Sequence, residues 1–213
     1  MDFLPDNISE YAEKHTQNES ELLQKLNRET YAKVIMPRML SGHLQGRLLS
    51  MISKMIRPSA ILEIGTFTGY SAICLAEGLP EHGKIISIDV NEELEFWVLE
   101  YWEKAGLANK AILKIGNALE IVPKLNEEFD LVFIDADKDN YSNYFDIVID
   151  KVKSGGFILA DNVLWSGKVA NKPETFDRDT KAIDDFNKKI FNDSRVENIL
   201  LPIRDGVMII RKL

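Results

Sequence analysis

Ile61-Leu62-Glu63-Ile64-Gly65-Thr66-Phe67-Thr68-Gly69-Tyr70-Ser71 passes from a short apolar run, through a turn bracketed by two glycines, into a helical pattern. A continuous apolar run of this length reads as a strand buried on both faces, because a half-exposed strand would alternate. Similar runs lie at Ala60–Ile64, Lys84–Ile88, Ala111–Ile115, Leu131–Ile134 and Phe157–Ala160. Helical spacing separates them: Leu94, Trp97, Tyr101 and Ala105 on one face, Tyr141, Phe145, Val148 and Val152 on another. Strand–helix alternation predicts right-handed crossovers and a parallel sheet. The rhythm then changes. A helix around Arg178–Phe191 precedes Val196–Leu201, Arg204-Asp205-Gly206 and Val207–Ile210, which reads as a hairpin. Residues 1–57 read as a helical addition, with Leu44, Leu48, Met51, Ile52 and Met55 at helical spacing and Pro58 closing the segment.

Bulk properties narrow the function. The 213 residues suit one domain, 1–213, and a charged fraction of 28% beside 45% hydrophobic residues is that of an ordinary folded chain. No apolar run approaches the ~18 residues of a membrane span, and the start, Met1-Asp2-Phe3-Leu4-Pro5, lacks the basic and apolar regions of an export signal. Cys74 is the single cysteine, so no internal disulfide forms, and a cytoplasmic location is expected. A net charge of −8 disfavours phosphate and favours a small-molecule substrate over nucleic acid.

The glycine turn points to a nucleotide-like cofactor. Glycine allows close backbone approach, and the following helix N-terminus offers free amides. A dinucleotide fold wants G-x-G-x-x-G, whereas Gly65 and Gly69 give G-x-x-x-G. Glu63, two residues before Gly65, would repel a pyrophosphate and suit the ammonium and sulfonium of S-adenosylmethionine. Asp89 closes the second strand, where a carboxylate can accept from both ribose hydroxyls. The competing reading is a glycine turn needed only for packing.

A second constellation lies at two later strand ends, Phe133-Ile134-Asp135-Ala136-Asp137-Lys138-Asp139-Asn140-Tyr141 and Ile158-Leu159-Ala160-Asp161-Asn162. Neighbouring strands lie about 4.8 Å apart, which would bring Asp135 to Asp161 and Asn162 at the carboxyl edge. Two carboxylates in a partly dry cleft require either a raised pKa on one of them or a cation between them. Hard oxygen donors suit Mg²⁺, Mn²⁺ or Ca²⁺ rather than zinc, and His15, His43 and His82 are scattered elsewhere. Taken singly, these acids also read as helix caps. Lys138 reads equally as a general base or as a solvated lysine at a helix start.

Together these segments, with Asp161-Asn162-Val163-Leu164-Trp165-Ser166-Gly167 and Leu201-Pro202-Ile203-Arg204-Asp205-Gly206, resemble the cation-dependent O-methyltransferases of the caffeoyl-CoA type, with catechol O-methyltransferase more distant. The resemblance covers about residues 36–213. It implies an α/β, Rossmann-like methyltransferase sheet of seven strands: five parallel plus the C-terminal antiparallel hairpin, helices on both faces, and residues 1–57 as a lid and dimer segment. It implies that Asp135, Asp161 and Asn162 hold the metal and that Lys138 is the catalytic base, with Asp135 also at the cofactor and the reacting centre. It implies S-adenosylmethionine contacts from Glu63, Gly65, Ser71, Asp89 and Ala118, with Met39 and Ser41 in a lid, and Trp165 against the substrate ring. Packing of a loop tryptophan is the alternative for Trp165. The stretch Lys168–Asp177 is shorter than in the plant enzymes, which favours a free catechol or phenylpropanoid over an acyl-CoA. Asn117 stands before Ala118 where many enzymes of the fold place an acid.

The expected reaction is methylation of one hydroxyl of a small aromatic vicinal diol by a homodimer. Its rivals are a methyltransferase acting on a hydroxylated tRNA base, and a non-catalytic binding protein on the same scaffold.

Overall fold

The structure, a computed structural model, describes residues 5–213; residues 1–4, part of the helical reading above, lie outside the described residues. The N-terminal region folds as three helices, α1 (Asp6–Lys14), α2 (Glu21–Lys33) and α3 (Gly42–Ile56). Then follow β1 (Ala60–Ile64), α4 (Tyr70–Ala76), β2 (Lys84–Asp89), α5 (Glu95–Lys104), β3 (Ala111–Ile115), α6 (Ala118–Ile121), β4 (Phe129–Ile134), α7 (Tyr141–Ile149) and β5 (Val152–Asp161). The chain ends with α8 (Arg178–Asn192), β6 (Val196–Leu201) and β7 (Val207–Lys212). The seven strands form one sheet in the order β3-β2-β1-β4-β5-β7-β6, parallel except for the pairs made by β7.

Alternate strand residues feed two cores. Leu62, Ile64, Val132 and Ile134 pack with Tyr141, Phe145 and Phe186 on one face. Ile61, Leu131 and Phe133 pack with Leu49, Tyr70 and Trp102 on the other. Burial on both faces is the reason these strands read as unbroken apolar runs. Among the described residues no helix is long and apolar enough to cross a membrane.

Three sequence expectations change. Val152 is not on the α7 face; it opens β5 and pairs with Phe129. The α5 face is wider than the Leu94, Trp97, Tyr101 and Ala105 stripe: Tyr101 is buried and Trp97 and Ala105 pack against the core, but Val98 and Trp102 are buried with them. The buried residues of α3 are Gln45, Gly46, Leu49, Ser50 and Ser53, while Met51 and Met55 are exposed. Close packing against α4 explains the last change. A Cβ at Gly46 would lie 2.6 Å from the Tyr70 ring, and Ser53 Oγ donates to the Leu75 carbonyl at 2.6 Å.

The register positions the cleft. Ile64 pairs with Ile88 and Ile134, and Ile134 pairs with Ala160. Gly65, Asp89, Asp135 and Asp161 are the next residues on these four strands, so they line one carboxyl edge, where open α/β sheets bind ligands.

Candidate active site

The β1–β2 end of this edge is built around two carboxylates. Glu63 is fully buried and accepts from Ser71 Oγ at 2.6 Å and from Thr66 Oγ1. Burial raises its carboxyl to about 7, against the lowering effect of these hydroxyl donors. Asp89 Oδ2 accepts from the amides of Thr66 and Phe67 at 3.0 and 2.8 Å, and Oδ1 from Asn91 N at 2.9 Å. Asp89 therefore also shapes the glycine loop, where Phe67 is held at φ 50°. Gly65 has φ +89°, and a Cβ there would overlap the Asp135 carbonyl oxygen. Its glycine is demanded by contact with β4 whatever the cleft binds.

The remaining cofactor candidates divide. Ser71, Ala118 and Ser41 are buried, whereas Met39 is exposed and extends into solvent. Asn117 Oδ1 caps α6 by accepting from Leu119 N at 2.9 Å.

The β4–β5 end gathers around one ammonium. Lys138 Nζ donates to Asp135 Oδ1 at 3.2 Å, Asn162 Oδ1 at 2.9 Å and Tyr141 OH at 2.6 Å. All of its donors are engaged, and its side chain is 9% exposed, so the solvated reading of Lys138 does not hold. Tyr141 OH in turn donates to the Asp161 carbonyl at 2.9 Å. Asp161 is 2% exposed. Burial, then the charge of Asp135, pushes its carboxyl up to about 7, while Gln45 and Lys138 oppose the rise. None of Asp135, Asp161 and Asn162 caps a helix.

Among the described residues no group of three or more His, Cys, Asp or Glu side chains is arranged to hold a metal. The candidate set is instead two acids and an amide. It fits a hard cation in donor chemistry, since all three offer oxygen, and in charge, since the folded chain already places an ammonium between Asp135 and Asn162.

Trp165 lies in a loop where Asn162, Trp165 and Ser166 all take left-handed backbone, at φ 56°, 47° and 56°. Such strain persists only where surroundings enforce it. The tip of the β6–β7 hairpin does so: Leu164 N donates to Asp205 O at 2.9 Å, Val163 N to Gly206 O at 3.2 Å, and Ser166 N to the Asp205 carboxylate. The Trp165 ring centroid lies 5.8 Å from Lys138 Nζ, and its buried indole N–H has no partner.

Sequence reasoning missed Gln45, Arg204 and Tyr141 as polar members of this site. Tyr141 was legible only as an apolar helix position. Gln45 and Arg204 carried no local signal, because their partners lie far along the chain.

The chain resembles known proteins throughout its length. The family model described as O-methyltransferase matches residues 13–213. Caffeoyl-CoA O-methyltransferase 1 of Nicotiana tabacum is 40% identical over 197 residues, covering 87% of this chain and 82% of the relative. Caffeoyl-CoA O-methyltransferase 2 of Petunia hybrida is 41% identical over 180 residues, covering 79% and 74%. Among solved structures, the SAH-bound methyltransferase PaMTH1 of Podospora anserina superposes with TM-score 0.90 at 29% identity, covering 100% of this chain and 99% of that one. The O-methyltransferase from Bacillus cereus in complex with SAH gives TM-score 0.88 at 27% identity, covering 97% of each.

Proposed function

The chain belongs to the O-methyltransferase family and is an S-adenosylmethionine-dependent enzyme, and from that premise we propose that it methylates one hydroxyl of a small aromatic vicinal diol, of catechol or phenylpropanoid type, with a divalent cation at the β4–β5 strand tips. One observation carries the reading: Asp135 and Asn162 hold the Lys138 ammonium beside Asp161, a buried carboxyl pushed up by burial and by its neighbour's charge. That end of the cleft requires a positive charge, and it adjoins the glycine loop.

Asp135, Asp161 and Asn162 would hold Mg²⁺ or Mn²⁺. A divalent ion there would supply charge that stabilises a deprotonated phenol. S-adenosylmethionine supplies the electrophilic methyl. Glu63, buried behind Gly65, favours the cationic end of that cofactor, while Ser71, Asp89, Ala118 and Ser41 complete its bed and the exposed Met39 would reach it only as part of a lid. Lys138, in its neutral amine form and turned away from its three acceptors, would take the proton from the hydroxyl to be methylated and become the ammonium. Trp165 lies against the acceptor ring and excludes water. The chain contributes mainly orientation and a low-dielectric setting.

The test is turnover of caffeate and simple catechols after chelation. EDTA should abolish methylation and Mg²⁺ or Mn²⁺ restore it, with a monophenol inactive throughout. Full activity in chelator would falsify the metal reading.

We also infer a homodimer through the N-terminal helices. Met51 and Met55, one turn apart on α3, are exposed, as are Ile35 at 84% and Met36 in the connection that precedes α3, and exposed apolar side chains are the usual material of a subunit contact. Sedimentation should give twice the 24.3 kDa chain mass; a Met51→Glu/Met55→Glu double variant should sediment as a monomer.

A further inference from the structure

We infer that Gln45 and Arg204 are positioning residues for Asp161, and that they fix the direction in which its carboxylate is offered at the strand tips. The inference rests on the metal reading above and extends it to two residues outside the strand-end motifs. Gln45, on α3, is 1% exposed. Its Nε2 donates to Asp161 Oδ2 at 2.6 Å, and its Oε1 accepts from Arg204 Nη1 at 2.6 Å. The amide of Asn162 donates to the other oxygen of Asp161, Oδ1, at 2.8 Å. Each carboxylate oxygen thus holds one donor from the protein, and rotation about Cβ–Cγ would lose both. A lone pair remains on each oxygen for a ligand.

Arg204 removes the remaining freedom. A guanidinium only donates, so it must face the amide oxygen of Gln45, which leaves the amide nitrogen, a donor, facing Asp161 Oδ2. The chain Arg204–Gln45–Asp161 therefore has one self-consistent orientation. Arg204 is itself held. Its backbone sits at φ 50°, and its guanidinium also donates to the carbonyls of Leu40 and Ser41. A hairpin residue with left-handed backbone and several acceptors on one guanidinium is tightly determined by its surroundings. Three segments, 40–45, 161 and 204, meet here although Gln45 lies 116 residues from Asp161 and 159 from Arg204. If these groups only stapled the fold, apolar side chains of equal volume would serve as well. What the polar chain adds is direction.

The experiment measures Mn²⁺ binding to the full-length protein by electron paramagnetic resonance of the free ion, with S-adenosylhomocysteine affinity and thermal stability measured alongside. Wild type should bind Mn²⁺, and Asp161→Ala should not. Gln45→Met keeps volume and removes both hydrogen bonds; it should weaken Mn²⁺ binding about 10- to 100-fold and leave S-adenosylhomocysteine affinity unchanged. Arg204→Met leaves Gln45 in place but free to turn, so about a three- to tenfold loss is expected. Gln45→Met that melts earlier yet binds Mn²⁺ like wild type would reduce the pair to a staple and overturn the inference. Should Gln45→Met fail to fold, Arg204→Met decides: wild-type affinity there overturns it equally. Wild type and Asp161→Ala binding Mn²⁺ alike would instead remove the metal reading, and this inference with it.

Discussion

At the β1–β2 half of the cleft, Glu63 is met by the hydroxyls of Thr66 and Ser71, and Asp89 by backbone amides. At the β4–β5 half, Asp135 and Asn162 are met by the Lys138 ammonium. Neutral donors solvate a buried charge without cancelling it, so Glu63 stays raised and remains able to attract a cation. The second half contains its own cation, and any ligand cation must join or displace it. One half is therefore prepared for a cationic ligand, the other balanced in its absence. The halves meet at Gly65, whose missing Cβ leaves room for the Asp135 carbonyl.

The sharpest way to break this contrast is to remove an acid from the second half. Asp161→Ala should lower kcat/KM on a catechol by about a thousandfold or more, the scale expected when charge stabilisation at a reacting oxygen is lost. Steady-state assays at saturating Mg²⁺ measure it; activity within tenfold of wild type would show that this half does not use its charge. Gly65→Ala attacks the junction. It combines a strained φ with overlap onto backbone, for about 3 kcal/mol or more of lost stability. In a chain of this size that lowers Tm by roughly 6–12 °C. A wild-type melting curve would mean that the halves do not touch at Gly65.

The same contrast explains what was legible in the sequence. Glu63, Gly65, Asp89, Asp135 and Asp161 sit on or just past strand ends, and a parallel sheet in register brings such positions together. The bounds of β1, β3 and β6 were readable because apolar runs stop where those strands stop. The start of β5 was not, because Lys153-Ser154-Gly155-Gly156 is polar and glycine-rich. The orientation of α3 was misread because the helix interface asks for Gly46 and Ser53 rather than bulk. Gln45 and Arg204 were invisible for a different reason: a glutamine on a helix and an arginine in a turn ordinarily face water, and only tertiary contact reverses that.

Protons distinguish the halves more finely. Glu63 titrates at about 7 in the folded chain against an ordinary 4.5. Between those values the folded state holds a proton that the unfolded state has released, so this group's contribution to stability falls as pH rises through the window. Binding a cationic cofactor favours the ionised carboxylate and expels that proton. S-adenosylmethionine affinity should therefore fall about tenfold from pH 8 to pH 6. Calorimetry at pH 6.5 in two buffers of different ionisation enthalpy should register the released proton, and Glu63→Gln should remove both effects. A pH-independent affinity in wild type would mean that Glu63 is not the group facing the cation.

Trp165 offers the smallest effect and tests the acceptor side alone. Its indole N–H is buried without a partner, a state that costs about 1–3 kcal/mol unless a ligand acceptor relieves it. The loop that carries it is strained and pinned by the hairpin, so the ring is held in place before any substrate arrives. Trp165→Phe keeps an aromatic face and deletes the N–H. If the indole only packs the loop, this variant relieves an orphan donor: stability rises slightly and KM for the acceptor is unchanged. If the N–H meets the substrate, KM for the acceptor rises about three- to tenfold, the value of one hydrogen bond, while KM for S-adenosylmethionine stays constant. The two KM values of a single variant thus separate contact with the acceptor from support of the loop, because a loosened loop would disturb the neighbouring Lys138 and lower kcat as well.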